Sequence, residues 1–253
     1  MIKVGYDGGH ALTTPGKETP NGEKEWSFNN KVAKAFANEL SLYSGVASKR
    51  FDDPTGKRDV PLKERTDGAN SWGADYYISF HHNADKGYWS NHTGVETYVY
   101  IGNKNTKSGQ LAKAIHPAVV EAYGLRDRGI KEKNLHIVRE TNMPAILIEG
   151  GFMDSTIDIK KLRDETVLEN AGREIARAFA EFVGLKKTNT SKEVPKVTQD
   201  LLNDTGRFAC KEIIKKAVAD GTFKPTHLQK LDNYSDKDLI SYGFAYLNRK
   251  LEK

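Results

Sequence analysis

Seven histidines are spread through the 253 residues, and two of them stand where chemistry is commonly housed. His10 closes the loop Asp7-Gly8-Gly9-His10 after a short apolar opening, and His81 directly follows the apolar run Tyr76–Phe80. Glu149 ends a third apolar run, Ala145–Ile148, and Glu25 heads a stretch with helical periodicity. A polar group that interrupts an apolar stretch costs free energy unless it finds a partner, so each of these placements asks for one. Two imidazoles and one carboxylate around an open position form a recurring catalytic zinc shell. A further carboxylate that is not a ligand can act as general base toward water. Residue type and spacing leave open which of Glu25 and Glu149 takes which role. They also leave the plainer alternative, in which each histidine is a hydrogen-bonded structural residue and the glycines before His10 make only a turn.

These residues converge only if the elements carrying them do. Ile2–Tyr6 reads as a strand, and Trp26–Leu42 as an amphipathic helix with Val32, Ala33, Phe36, Ala37 and Leu40 on one face. Tyr76–Phe80, Val95–Ile101, Leu135–Val138 and Ala145–Ile148 read as strands. Ser108–Tyr123 is helical in pattern, with Pro117 expected to kink or break it. Asn170–Val183 closes the series as a helix burying Ile175, Ala176, Phe179 and Ala180. This alternation predicts an α/β domain with a central, mostly parallel, twisted sheet flanked by helices. In such sheets functional groups gather at the carboxyl ends of strands. That would bring His10, His81 and Glu149 to one edge, with Glu25 facing it from the head of its helix.

Composition bounds the rest. The length allows one large domain or one domain and a small companion. A mean hydropathy of −0.64 without a long apolar run excludes a membrane-spanning helix. The lone Cys210 excludes an internal disulfide and a thiolate metal cluster. The chain carries a net charge of +5, and its location matters. Residues 1–185 hold 25 basic and 25 acidic side chains, whereas residues 186–253 hold 14 and 9, so the later segment carries the entire excess. Residues 186–196 (KKTNTSKEVPK) are polar and aperiodic, and read as a linker. Residues 197–253 then read as a small basic helical domain, with Leu201, Leu202, Ala209, Ile213, Ile214, Ala217 and Val218 at helical spacing. Its last helix is expected to start at a Ser235-x-x-Asp238 cap. The opening Met1–Val4 lacks the layout of a signal peptide. The expectation is therefore synthesis in the bacterial cytoplasm.

Four motifs, in order, carry a resemblance. They are DGGH at Asp7–His10, Glu25 followed by Asn29 four residues later, SFHHNA at Ser79–Ala84, and PAILIEGGF at Pro144–Phe152. Leu62 with Arg65 and Asn70, the GVETYVY stretch from Gly94, and Arg128-Gly129 ahead of Leu135–Val138 support them. In these features the chain resembles the zinc-dependent N-acetylmuramoyl-L-alanine amidases of the Amidase_3 type, over about residues 1–184. The resemblance implies that His10, Glu25 and His81 are the Zn2+ ligands and Glu149 the catalytic carboxylate. It implies a peptidoglycan hydrolase that cuts the bond between N-acetylmuramic acid and L-alanine, acting in wall lysis as a phage endolysin released by a holin-type route. A bacterial autolysin of the same chemistry, a zinc peptidase cutting within the stem peptide, and a binding protein without catalysis are the competing readings.

His82 stands where the family has a small residue and offers a second imidazole beside His81. Glu23 similarly competes with Glu25, but only Glu25 has the asparagine in register. His136, on an expected strand near Glu149, is a candidate for substrate contact. His92, His116 and His227 are read as surface or helix residues, Asn83 as orienting the His81 turn, Trp72 as core, Trp89 as core or cleft lining, and Cys210 as packing. For the basic domain the leading expectation is binding of an anionic cell-wall polymer. No nucleic-acid motif is present, no membrane partner is expected, and self-association through apolar faces is the alternative.

Overall fold

Strands buried on both faces must be apolar along their whole length, and three such runs form the middle of one sheet. The computed structural model describes residues 1–188, 204–234 and 236–251. In chain order the first elements are β1 (Ile2–Gly8), α1 (Glu25–Leu40), β2 (Val46–Arg50), α2 (Leu62–Trp72), β3 (Tyr76–Asn83) and β4 (Val95–Val99). They continue as α3 (Lys107–Tyr123), β5 (Asp127–Glu132), α4 (His136–Glu140), β6 (Ala145–Phe152), α5 (Ile159–Leu162) and α6 (Glu165–Phe182). The sheet order is β2-β1-β3-β6-β4-β5. All neighbours are parallel except β4 and β6, which run antiparallel. The carboxyl ends of β1, β3 and β6 therefore share one edge, and the start of β4 joins them there.

Alternation along the strands sorts their residues between two cores. Val4, Ile78, Phe80, Ile146 and Ile148 face α1, α3 and α6, where Phe36, Ile115, Val119, Ile175 and Phe179 complete the larger cluster. Tyr77, Tyr98, Ala145 and Leu147 face α2 and α4, meeting Ala69, Ile137 and Val138. The phase matters at the strand ends, because residues 81, 149 and 96 continue the second set and residue 82 continues the first.

Several expectations are corrected. Leu135–Val138 is no strand: residues 136–140 form the short helix α4, whose Ile137 and Val138 pack on the α2 side of the sheet. The strand in this part of the chain is instead β5, a charged edge strand (DRGIKE) beside β4 with little apolar signal. Helix α3 runs unbroken through Pro117. An internal proline costs about 3 kcal/mol. That is outweighed where Ile115, Val119 and Tyr123 are buried and His116 is held by Thr97 and Asp127 at 2.9 and 2.8 Å. The edge strand β2 and the polar helix α2 were not anticipated.

The chain divides into two compact units, residues 1–188 and 189–253. Of the expected linker, residues 189–196 lie outside the described residues, as do Leu201, Leu202 and the Ser235 cap. The second unit comprises α7 (Asp204–Ala219), α8 (Thr226–Lys230) and α9 (Asp236–Leu251). Its own core holds Ile214, Ala217, Phe223, Leu231, Leu239 and Tyr246, with Cys210 packed against it. No described helix is long and apolar enough to cross a membrane.

Candidate active site and metal centre

The loop after β1 is held from behind. The guanidinium of Arg65, buried in α2, pairs with Asp7 at 2.8 Å and donates to the carbonyls of Gly8 and His10 at 3.0 and 3.3 Å. This clamp holds His10 at φ +63°, the one positive φ at a non-glycine position among the described residues. Such a left-handed residue costs roughly 1–2 kcal/mol. Gly9 must be glycine for another reason: a Cβ there would lie 2.0 Å from the His81 ring.

Glu25, the first residue of α1, reaches between the two imidazoles. Its Oε2 lies 3.3 Å from His10 Nε2 and its Oε1 lies 3.0 Å from His81 Nδ1. The rings of His10 and His81 meet edge to face at 5.0 Å, and the donor atoms of the three residues all lie within 4.8 Å of one another. Oε1 is further tethered by Asn29 Nδ2 and by the backbone N–H of His82, both at 3.2 Å. Two ligand atoms on a tetrahedral zinc ion lie about 3.3 Å apart, so the separations to Glu25 fit such an ion. The donor types fit as well.

Glu149 is the register partner of His81 across β3 and β6, and shares its face of the sheet. Its Oε2 is buried with no hydrogen-bond partner. A cavity of about 110 Å³ is lined by His10, Glu25, His81 and Glu149 together with Gly16, Lys17, His82, Asn83, Ala84 and Met153.

The electrostatics separate these groups. Burial resists ionisation of Glu25, but His81, His10 and Asn29 together outweigh it and hold the carboxyl down at about 2. Burial pulls His10 down to about 4, leaving a neutral imidazole. Burial also opposes the charge on His81, yet its carboxylate partner Glu25 raises it above the ordinary histidine value. Burial pushes Glu149 up to about 8, against the pull of His81 and with the help of the Glu25 and Glu96 charges. Carboxyls whose environments drive them in opposite directions are the raw material of acid–base chemistry.

His82 does not join the cluster. It continues the other face of β3, where its Nδ1 lies 2.7 Å from Asn29 Oδ1 and its Nε2 lies 3.0 Å from the Tyr123 hydroxyl. Both ring nitrogens are used, and burial pulls the imidazole down to about 3. Glu23 is engaged elsewhere, by Arg163 at 2.6 Å. His136 starts α4 beside Thr66 at 3.3 Å and does not line the cavity. Asn83 donates to Glu96 at 2.7 Å, tying β3 to β4. Trp72 packs with Phe51 in the smaller core, and Trp89 packs against the larger one under Arg163. His92 pairs with Asp85 at 2.9 Å in a loop, and His227 packs on Tyr242 in the second unit. The reading from sequence missed Glu96 and Tyr123. Glu96 interrupts the apolar strand GVETYVY, the same signal that singled out Glu149, whereas nothing in the sequence marks Tyr123.

Comparison with known proteins places this geometry. The family model described as Amidase_3, N-acetylmuramoyl-L-alanine amidase, matches residues 4–181. The sporulation-specific N-acetylmuramoyl-L-alanine amidase of Bacillus subtilis (strain 168) is 36% identical over 194 residues, covering 76% of this chain and 72% of that protein. The endolysin of Bacillus phage SPP1 is 34% identical over 190 residues, covering 73% of this chain and 67% of its own. Among solved structures, the catalytic domain of CwlV, an N-acetylmuramoyl-L-alanine amidase from Bacillus (Paenibacillus) polymyxa var. colistinus, superposes with a TM-score of 0.67 at 28% identity. That likeness covers 74% of this chain and 100% of that one.

Proposed function

The chain belongs to the Amidase_3 family of N-acetylmuramoyl-L-alanine amidases, and on that premise we propose a zinc-dependent reaction carried by His10, Glu25, His81 and Glu149. The enzyme is a peptidoglycan hydrolase, and its bond is the amide between N-acetylmuramic acid and L-alanine. What supports the zinc reading is the donor set: two imidazoles and a carboxylate within 4.8 Å, beside a carboxyl oxygen that no protein group satisfies. Zinc, when bound there, supplies Lewis-acid polarisation of the scissile carbonyl and acidifies water.

The chain's own residues do the rest. His10 and His81 present ring nitrogens from loop and strand, while Asn29 and the His82 N–H hold one oxygen of Glu25 and leave the other turned to His10. Glu149 moves the proton. In its ionised form, which a dication held by His10, Glu25 and His81 would favour, its Oε2 takes a proton from the attacking water as the new C–O bond forms, then delivers it to the alanine nitrogen as the C–N bond breaks. The products are the lactyl carboxylate and a free alanine amino terminus. Digestion of purified walls is expected to expose alanine amino termini without new reducing sugar ends. Amino termini of other stem residues would identify a peptidase instead, and new reducing ends a glycosidase. Chelation should abolish activity and zinc restore it, and His10→Ala should lose both metal and turnover.

For biological setting we propose an endolysin acting in wall lysis, supported by the likeness to the SPP1 protein. The likeness to the sporulation amidase favours a second reading, wall remodelling by a bacterial enzyme. An endolysin should be harmless when produced in a host cytoplasm until the membrane is opened, and lysis without membrane damage would count against it. The second unit is proposed to hold the enzyme on anionic wall polymer, since residues 186–253 carry the whole net charge of +5. Wall binding by the full chain should weaken with salt and exceed that of residues 1–188. Binding that salt leaves unchanged would refute the electrostatic version.

A further inference from the structure

We propose that Tyr123, acting through His82 and Asn29, is a positioning residue for Glu25; this rests on reading Glu25 as a metal ligand. The four side chains form one buried line, each at most 2% exposed. Its polarity follows from what each atom can do. Asn29 Nδ2 lies 3.0 Å from the Gly9 carbonyl and 3.2 Å from Glu25 Oε1, and both of these only accept. The amide is thereby oriented with Oδ1 toward His82, so Nδ1 of His82 must carry the proton across the 2.7 Å contact. Among the described residues the Tyr123 hydroxyl has Nε2 as its one hydrogen-bond partner, in a ring packed against Phe28 and Tyr123, so the hydroxyl proton points at Nε2 and Nε2 is the acceptor. Only a donor satisfies it, and the Tyr123 hydroxyl at 3.0 Å is that donor. The hydroxyl thus favours the same His82 tautomer that the Asn29 amide requires, so the line that tethers Glu25 is held from both ends. Outer contacts of this kind set the orientation of metal ligands.

A second observation points the same way. A Cβ at Gly150 would lie 2.3 Å from the Tyr123 hydroxyl and 2.8 Å from His82 Nε2. The residue after Glu149 is therefore glycine where this bond needs room. The neighbouring histidines divide the work by strand alternation: His81 turns its ring to Glu25, and His82 turns its ring to Asn29 and Tyr123.

The test is Tyr123→Phe in the full chain, which removes one hydroxyl from a buried ring. In the wild type, ¹⁵N shifts of the His82 ring should report a protonated Nδ1 and a bare Nε2, and in Tyr123→Phe a mixture of tautomers. Zinc affinity, measured by competition with a chelating dye, should fall about threefold to tenfold, less than the 10- to 100-fold typical of a direct outer partner. The visible bands of the Co2+-loaded protein should shift. His82→Asn keeps an N–H toward Asn29 but cannot reach residue 123, so in that background Tyr123→Phe should leave zinc affinity unchanged. A protonated Nε2 in the wild type, or Tyr123→Phe with wild-type zinc affinity and Co2+ spectrum, would overturn the proposal. If the wild type takes up no zinc, or Glu25→Ala does not alter uptake, the metal reading itself fails and the role of Tyr123 falls with it, while the ring shifts still judge the hydrogen-bond line separately.

Discussion

Glu149 and Glu96 are register partners across β6 and β4, yet they sit in opposite electrostatic states. Burial resists ionisation of both. At Glu96 the resistance is overcome by Lys131, the Tyr98 hydroxyl at 2.6 Å and Arg128 at 2.9 Å, which hold the carboxyl below its ordinary value. Asn83 completes the set at 2.7 Å. Glu149 makes no ion pair among the described residues; Lys17 lines its cavity and pulls its carboxyl down only weakly against burial. Its strand neighbour is His81, its Oε2 has no partner, and its carboxyl is pushed up to about 8. The difference lies in which strand is adjacent: β5 brings Arg128 and Lys131 to β4, whereas β3 brings an imidazole to β6. A carboxylate saturated by fixed charges braces the fold, and one left with exchangeable neighbours can carry a proton.

The sharpest attack on this contrast is Glu149→Gln. Turnover is expected to fall about 10²–10⁴-fold, the usual worth of a positioned acid–base group, with zinc uptake retained. Measured hydrolysis near the wild-type rate would end the proton-carrier reading. Glu96→Ala should act the other way round. Loss of the buried partner is expected to lower unfolding free energy by about 2 kcal/mol, seen in chemical denaturation, while folded protein keeps turnover within a few-fold of wild type. A collapse of activity at full stability would merge the two roles. The subtlest test is the pH dependence of stability in chelator-treated protein. The raised carboxyl of Glu149 binds more protons folded than unfolded between the ordinary 4.5 and about 8, so its contribution is complete below 4.5 and is lost as pH rises through 8. Glu96 is depressed, so its contribution is present above 4.5 and is lost as pH falls below that value. Glu149→Gln should flatten the alkaline slope and Glu96→Gln the acidic one; the reverse assignment would contradict the comparison.

Legibility followed burial. Strands β1, β3 and β6 were readable because elements on both faces force them to be apolar, and α1 and α6 because each presents one broad buried face. Strands β2 and β5 lie at the sheet edges, where charged residues are tolerated, so periodicity carried no signal. Helix α2 buries only Arg65, Thr66 and Ala69, too narrow a stripe to read. The run Leu135–Val138 misled because β-branched residues suit a strand, while packing against α2 selects a helix there. At the site, His10, Glu25, His81 and Glu149 were visible as polar residues at the ends of apolar stretches, and the structure places all four around one cavity. Glu96 was equally visible and was passed over.

The sequence by itself determined the order of apolar runs, and with it the sheet edge to which the four polar residues come. It also determined that the charge excess belongs to the later segment. Only the tertiary structure decided that the ring of His81 joins His10 and Glu25 while that of His82 turns to Asn29 and Tyr123, because strand phase assigns adjacent residues to opposite faces and a one-residue difference reverses their surroundings. It likewise decided that Glu25 lies between two imidazoles while Glu149 stands apart with a bare oxygen. Charge state depends on which strands are neighbours in space, and sequence order does not contain that.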